Sequence, residues 1–165
     1  MKNKFLIPLL VIGGVLLRLL PHAPNVAPIA AMALFAGTMF PMEYALLTVF
    51  ATMMISDVFL GFYPGMGWVY GSYFLILMLG MIVKRKHLNV PSVIGLSLTS
   101  SLLFFLITNF GVWISTGMYA KNIGGLIECY YLAIPFFRNT ILGDLAFNGV
   151  LFGGYATLET PTYVG

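Results

Sequence analysis

The sequence predicts an all-α, polytopic membrane protein with about six transmembrane helices, and three observations predict it. Hydrophobic residues fill 60% of the 165 positions and charged residues only 8%, against about 25% charged in soluble domains, so the chain cannot cover itself with charge in water. Its mean hydropathy is +0.98. The apolar residues also run continuously instead of alternating, which suits helices and disfavours a lipid-facing barrel. A single integral membrane domain over residues 1–165 is therefore expected. This composition excludes a cytoplasmic enzyme, a secreted disulfide scaffold and a free nucleic-acid-binding domain as classes, and one cysteine, Cys129, cannot close an intrachain bridge.

A helix needs about 20 mostly apolar residues to cross the hydrocarbon, and six stretches approach this. The first, residues 5–20, follows Lys2 and Lys4 and superficially resembles a signal peptide. Arg18 interrupts its end and no small-x-small cleavage site follows, so it reads as a retained helix. Pro21, Pro24 and Pro28 break the chain before the second stretch, 26–40, and Pro41 ends it. The third, 44–63, stops at Pro64 and Gly65. The fourth, 68–83, runs into Lys84, Arg85, Lys86 and His87, and the fifth, 91–114, opens at Pro91. The connection 115–136 is too long and apolar for a plain loop, and predicts a short interfacial or re-entrant segment ending at Pro135. The sixth stretch is 137–158.

Six spans put both termini on one side, and basic short loops mark the cytoplasmic face. Lys2, Lys4, Lys84, Arg85 and Lys86, with Glu43 and Glu159, then lie inside and carry the whole net charge of +3. This places the chain in a bacterial cytoplasmic membrane, with the basic loop as an orientation signal and a contact for anionic lipid. It does not read as a nucleic-acid patch. The other charges, Arg18, Asp57, Lys121, Glu128, Arg138 and Asp144, sum to zero and fall in the outer half.

Ionisable groups inside a span are costly, about 2.5–3.5 kcal/mol each at a helix centre, so they gather around an interior or a watery cavity. Arg18, Asp57, Arg138 and Asp144 are joined at matching depth by His22, Asn25, Tyr70, Asn109, Trp113, Asn139 and Asn148. Thr140, Asp144 and Asn148, four apart, form one polar stripe. Gathering on one side points to a pocket open to the extracytoplasmic face. Arg18 and Arg138 would meet anionic groups, and Asp57 and Asp144 would position those arginines or accept ligand donors. Asn109, Asn139 and Asn148 would read polar edges, while Tyr70, Trp113 and Tyr130 would stack on a planar ring. The competing reading is a set of ion pairs that lock the bundle, in a noncatalytic structural or assembly subunit of a larger membrane complex.

Other polar residues carry plainer expectations. Thr48, Thr52 and Ser56, and Ser97 and Ser101, read as packing seams with hydroxyls bonded to their own helix. No His-Glu-x-x-His, Gly-x-Ser-x-Gly or phosphate-loop motif is present, so no catalytic residue, metal site or cofactor is expected, and the chain is not read as an enzyme.

The residues Pro24, Asn25, Val26, Ala27 and Pro28, the helix closing in Ala36 and Gly37, and the helix ending Ser56, Asp57 and Gly61 resemble the substrate-binding S components of energy-coupling factor (ECF) transporters. The run Thr108, Asn109 to Trp113, then Cys129 and Tyr130, then Ala133 to Thr140 with Gly143 and Asp144, is similar to an uncharacterised bacterial family of transport proteins, itself S-component-like. The resemblance implies a six-helix fold with cytoplasmic termini and a small-molecule site under the first outer loop. It also implies partners: an ECF-type transmembrane coupling protein and two ATPases. Helix 1 carries Gly13 and Gly14 where S components commonly carry Ala-x-x-x-Ala, and the chain begins Met1-Lys2, not Met-His, so cobalt and nickel are not expected ligands.

Overall fold

The computed structural model describes the backbone at residues 3–83 and 88–159 and the side chains at 5–83 and 88–157. Six α-helices and no strand occur among the described residues: α1 (Asn3–Leu19), α2 (Ile29–Met39), α3 (Met42–Leu60), α4 (Met66–Ile82), α5 (Val90–Ser115) and α6 (Ile123–Glu159). The side chains used to orient the chain, Lys2, Lys4, Lys84, Arg85, Lys86 and Glu159, lie outside the described residues.

Helix ends follow local chemistry. Pro28 and Pro41 precede α2 and α3, where a missing N–H costs nothing. Gly61 ends α3 and Gly65 starts α4, both at positive φ (88° and 86°), which a side chain would resist. At α5, Asn89 accepts from the Ser92 N–H at 2.8 Å and Ser92 Oγ accepts from the Asn89 N–H at 2.8 Å, a reciprocal capping box with Pro91 in the first turn.

Two expectations change. The segment before the last helix is not a separate interfacial or re-entrant piece: α6 starts at Ile123 and passes through Pro135 without a break. Proline removes one N–H and therefore one intrahelical bond, but the neighbouring turns of this 37-residue helix hold it continuous. The second is α2. At 11 residues and 1.5 Å per residue it is roughly 16 Å long, about half the hydrocarbon thickness. Residues 29–37 are all buried, and α2 touches each of the other five helices. A helix apolar on every side is a core helix, and here α2 is the hub.

Glycine makes that hub tight. A methyl group added at Gly37 would run into the backbone carbonyl of Leu77 on α4, and one added at Gly80 would run into that of Leu34 on α2. The two glycines thus let the α2 and α4 backbones meet, as small residues do where membrane helices pack closely. Around this contact Phe35 makes edge-to-face contacts with Phe40, Phe152 and Tyr155 at centroid distances of 5.2–5.9 Å. α1 packs on α3, and α5 on α6.

The exterior is apolar: Phe5, Phe62, Ile82 and Val150 are each more than two thirds exposed. By length and composition, α3 and α5 are long and apolar enough to cross a membrane.

Candidate functional site

A cavity of about 690 Å³ opens at the end of the bundle where α1, α3 and α5 finish and α2 and α4 begin. α6 reaches it through its middle, with Phe136, Thr140 and Asp144. The loop between α1 and α2 forms its rim through Pro21, His22 and Asn25. That loop is held down from α6: Asn139 Nδ2 donates to Pro24 O at 3.1 Å, and Val26 lies against Gly143, where a Cβ would sit 3.4 Å from its Cα. Asn25 takes a left-handed conformation at φ 63°, which Asn tolerates better than most residues.

One wall carries an ion pair. Arg18 Nη1 lies 2.5 Å from Asp57 Oδ1, with Asp57 fully buried. The same nitrogen donates to Ser56 Oγ at 2.5 Å and to Met53 O at 3.3 Å. The Tyr70 hydroxyl donates to Asp57 Oδ2 at 2.7 Å. The carboxylate is thus held by a cation and a phenol, as a charge in an apolar interior must be. The expected seam beneath it is present: Thr48, Thr52 and Ser56 each donate to the carbonyl four residues back, at 2.7–2.8 Å.

The opposite wall is built differently. Thr108 Oγ1 donates to Phe104 O at 2.7 Å, Thr140 Oγ1 to Phe136 O at 3.0 Å, and Asn109 Nδ2 to Phe105 O at 2.8 Å. Each spends donors on its own helix. Asp144, 2% exposed, accepts from Ser101 Oγ at 2.6 Å and has no cation partner among the described residues. Between the walls stand Tyr63, Tyr73, Phe104 and Phe136. Burial raises the Tyr63 phenol above its ordinary value, with the Arg18 charge opposing and the Asp57 charge adding, so it remains a neutral donor at physiological pH.

Of the expected residues, Arg18, His22, Asn25, Asn109 and Asp144 line the cavity, with Asp57 and Tyr70 directly behind Arg18. The rest do not converge. Arg138 is exposed on α6 and makes no ion pair among the described residues, so it neither pairs with Asp144 nor faces the cavity. Six residues separate Arg138 from Asp144, about 240° around a helix. Trp113 donates from its indole to Ala120 O at 2.9 Å and carries the Lys121 ammonium over its ring at 5.7 Å, bracing the turn into α6. Tyr130 donates to Leu106 O at 2.6 Å, tying α6 to α5. Asn139 serves the loop.

Asn148 belongs to a second cavity, a groove of about 530 Å³ toward the opposite end of α5 and α6, lined by Met39, Val93, Ser97, Phe152 and Tyr155 among others. There its Nδ2 donates to Ser97 Oγ at 3.0 Å. The 140–144–148 stripe climbs about 6 Å per step, so its last member passes below the floor of the upper cavity. Sequence reasoning missed Tyr63, Tyr73 and Ser101. Tyr63 and Tyr73 resemble any interfacial or core aromatic, and Ser101 read as a packing residue. Its place opposite Asp144 becomes visible only when α5 and α6 are docked.

The chain matches the family of unknown function DUF6580 over residues 1–164, and belongs to that family. Neither a curated protein nor a solved structure matches it.

Proposed function

We propose that this member of DUF6580 is a multi-pass protein of a bacterial cytoplasmic membrane that captures a small organic molecule in the 690 Å³ cavity and passes it inward. The observation that carries the reading is Asp144. A carboxylate 2% exposed, without a cation beside it among the described residues and bordering a cavity large enough for a ligand, is expensive as structure alone. The size lies within the range of about 300–1,000 Å³ common to small-molecule sites. The apolar exterior and the apolar α3 and α5 support residence in lipid. With the termini read as cytoplasmic, the cavity faces outward and the short α2 lies within the bundle.

The resemblance to S components leads us to extend the proposal to a coupling protein with ATPases as partner. The face of α1 that bears Leu9, Ile12, Gly13 and Leu16 supports this, since the three large residues are each more than half exposed and nothing lies within 4 Å of a Cβ added at Gly13. A second reading, a structural subunit, is favoured by the direct Arg18 to Asp57 pair, which needs no ligand to be neutral.

Native mass spectrometry of the detergent-purified chain separates the two. Under capture, wild type retains a small molecule and Thr108→Phe, which fills the cavity, loses it with little change in melting temperature. A wild-type chain that carries only lipid, or a Thr108→Phe variant that retains the molecule, overturns capture and leaves the subunit reading.

A further inference from the structure

The two walls of the cavity differ in hydrogen-bonding sense, and the difference identifies what would sit between them. On the α5 and α6 side, Thr108 and Thr140 have given their protons to Phe104 O and Phe136 O, and Asn109 has given an N–H to Phe105 O. A hydroxyl whose proton is spent presents lone pairs, and Asn109 keeps its Oδ1. Asp144 adds a second acceptor oxygen beyond the one that Ser101 serves. This wall therefore presents more acceptors than donors, the second Asn109 N–H being the one amide proton left over. The electrostatics agree. The one arginine of the cavity is already neutralised by Asp57 at 2.5 Å, so the Asp144 carboxylate stands as the uncompensated charge.

The surroundings of Asp144 offer it no other counter-charge. α2 and α5 contain no ionisable residue. α4 contributes the Tyr73 phenol, the α3–α4 connection Tyr63, and the α1–α2 loop His22, whose Nδ1 lies 3.0 Å from Ala23 O. α3 contributes Asp57 and α1 contributes Arg18, engaged with each other. On α6 itself Arg138 is exposed and off this face.

We propose, on the footing of the capture reading, that the cavity selects a ligand with a cationic, proton-donating nitrogen, an organic ammonium, seated on Asp144 with its donors shared among Thr108, Asn109 and Thr140. An ammonium has donors and no acceptor, which suits a wall with a carboxylate and a surplus of acceptors. Tyr63, Tyr73, Phe104 and Phe136 suit the rest of such a ligand, since aromatic faces attract cations as well as apolar bodies. This reverses the anionic preference expected from two arginines, because one of them is neutralised and the other faces away. A proton competes with the ammonium for the same carboxylate. The Ser101 hydroxyl lies 2.6 Å from Asp144 Oδ2 and 3.1 Å from Ser97 O. It donates to the carboxylate, or accepts from the carboxylic acid and donates to Ser97 O, so both protonation states are hydrogen-bonded.

The test uses the full chain in detergent and three ring-bearing probes of similar size: phenethylammonium, 2-phenylethanol and 3-phenylpropionate. Binding is read by calorimetry and by thermal melting. The ammonium should bind wild type most tightly and weaken by about tenfold or more in Asp144→Asn, the loss expected for a charge-assisted bond. Its affinity for wild type should fall as pH is lowered, because protons compete for the carboxylate, and this dependence should vanish in the variant. Should Asp144→Asn fail to fold, Thr140→Val keeps the shape and removes one acceptor, and should weaken the ammonium several-fold without weakening the alcohol. Preference for the carboxylate probe, unchanged ammonium binding in both variants, or no ammonium binding at millimolar concentration overturns the proposal. The two readings fail separately: a retained native molecule that bears a carboxylate and no basic nitrogen keeps capture and removes the cation seat, whereas a chain that retains only lipid removes capture itself.

Discussion

Arg18 and Asp57 show how a buried charge is tolerated and what its removal would do. Asp57 is fully enclosed and contacts both the guanidinium and the Tyr70 hydroxyl. Asp57→Asn leaves the arginine uncompensated, and breaking one side of a buried pair costs about 3–5 kcal/mol. The double variant Arg18→Met with Asp57→Leu should recover most of that loss, which a double-mutant cycle of melting temperatures in detergent measures. Recovery of nothing would mean that the pair is not the source of the cost. The partnership was half legible in the sequence, where one basic and one acidic residue fall at matching depth. Arg138 shares that depth but not the angle. Its six-residue offset from Asp144 places it on another face, and counting around the helix would have set it aside. Ser101 was not legible, since a serine in an apolar helix bonds its own backbone far more often than a carboxylate.

Among the helices, α2 and α4 hold the tightest contact. Gly37→Ala and Gly80→Ala each push a methyl group into a backbone carbonyl, which cannot swing aside as a side chain can. Overpacking of this kind costs about 1–3 kcal/mol or more, so both variants should melt well below wild type. Gly13→Ala, with open space around it, should not. Equal effects at all three positions would show that helix propensity, not packing, governs them. The rim loop offers a gentler test. Asn139→Ala removes its bond to Pro24 O, and residues 20–28 should then be cut faster in limited proteolysis while the melting temperature moves little. All six helices were legible from apolar runs bounded by proline, glycine and charge, with ends mostly within three residues. Two features were not. Pro135 reads as a terminator, because sequence records the lost N–H and not the neighbouring turns that carry the helix through. The burial of α2 was hidden because alanine suits a lipid-facing turn and a crowded core equally.

The described residues present an apolar exterior around a core that is apolar at the α2 hub and polar at the Arg18, Asp57 and Asp144 level, and that exterior is the inverse of a soluble protein's surface. The chain should therefore remain in the membrane fraction after alkaline carbonate washing and need detergent for release. Recovery in the washed supernatant would exclude residence in the bilayer. Composition made this exterior legible at once, and depth located the polar level. What composition could not show is that the level divides into an ion-paired side and a side of bare acceptors, since that depends on which hydroxyls and amides spend their protons locally. The hub has a mechanical consequence. α2 is wedged against five neighbours and backbone-to-backbone against α4, so it has no room to slide or turn and behaves as a fixed axle. If the proposed capture and release operate, the α1–α3 pair and the α5–α6 pair are the units left to move past this axle. Under that proposal, a crosslink between α1–α3 and α5–α6 should block release of a captured molecule, whereas one between α2 and α4 should not.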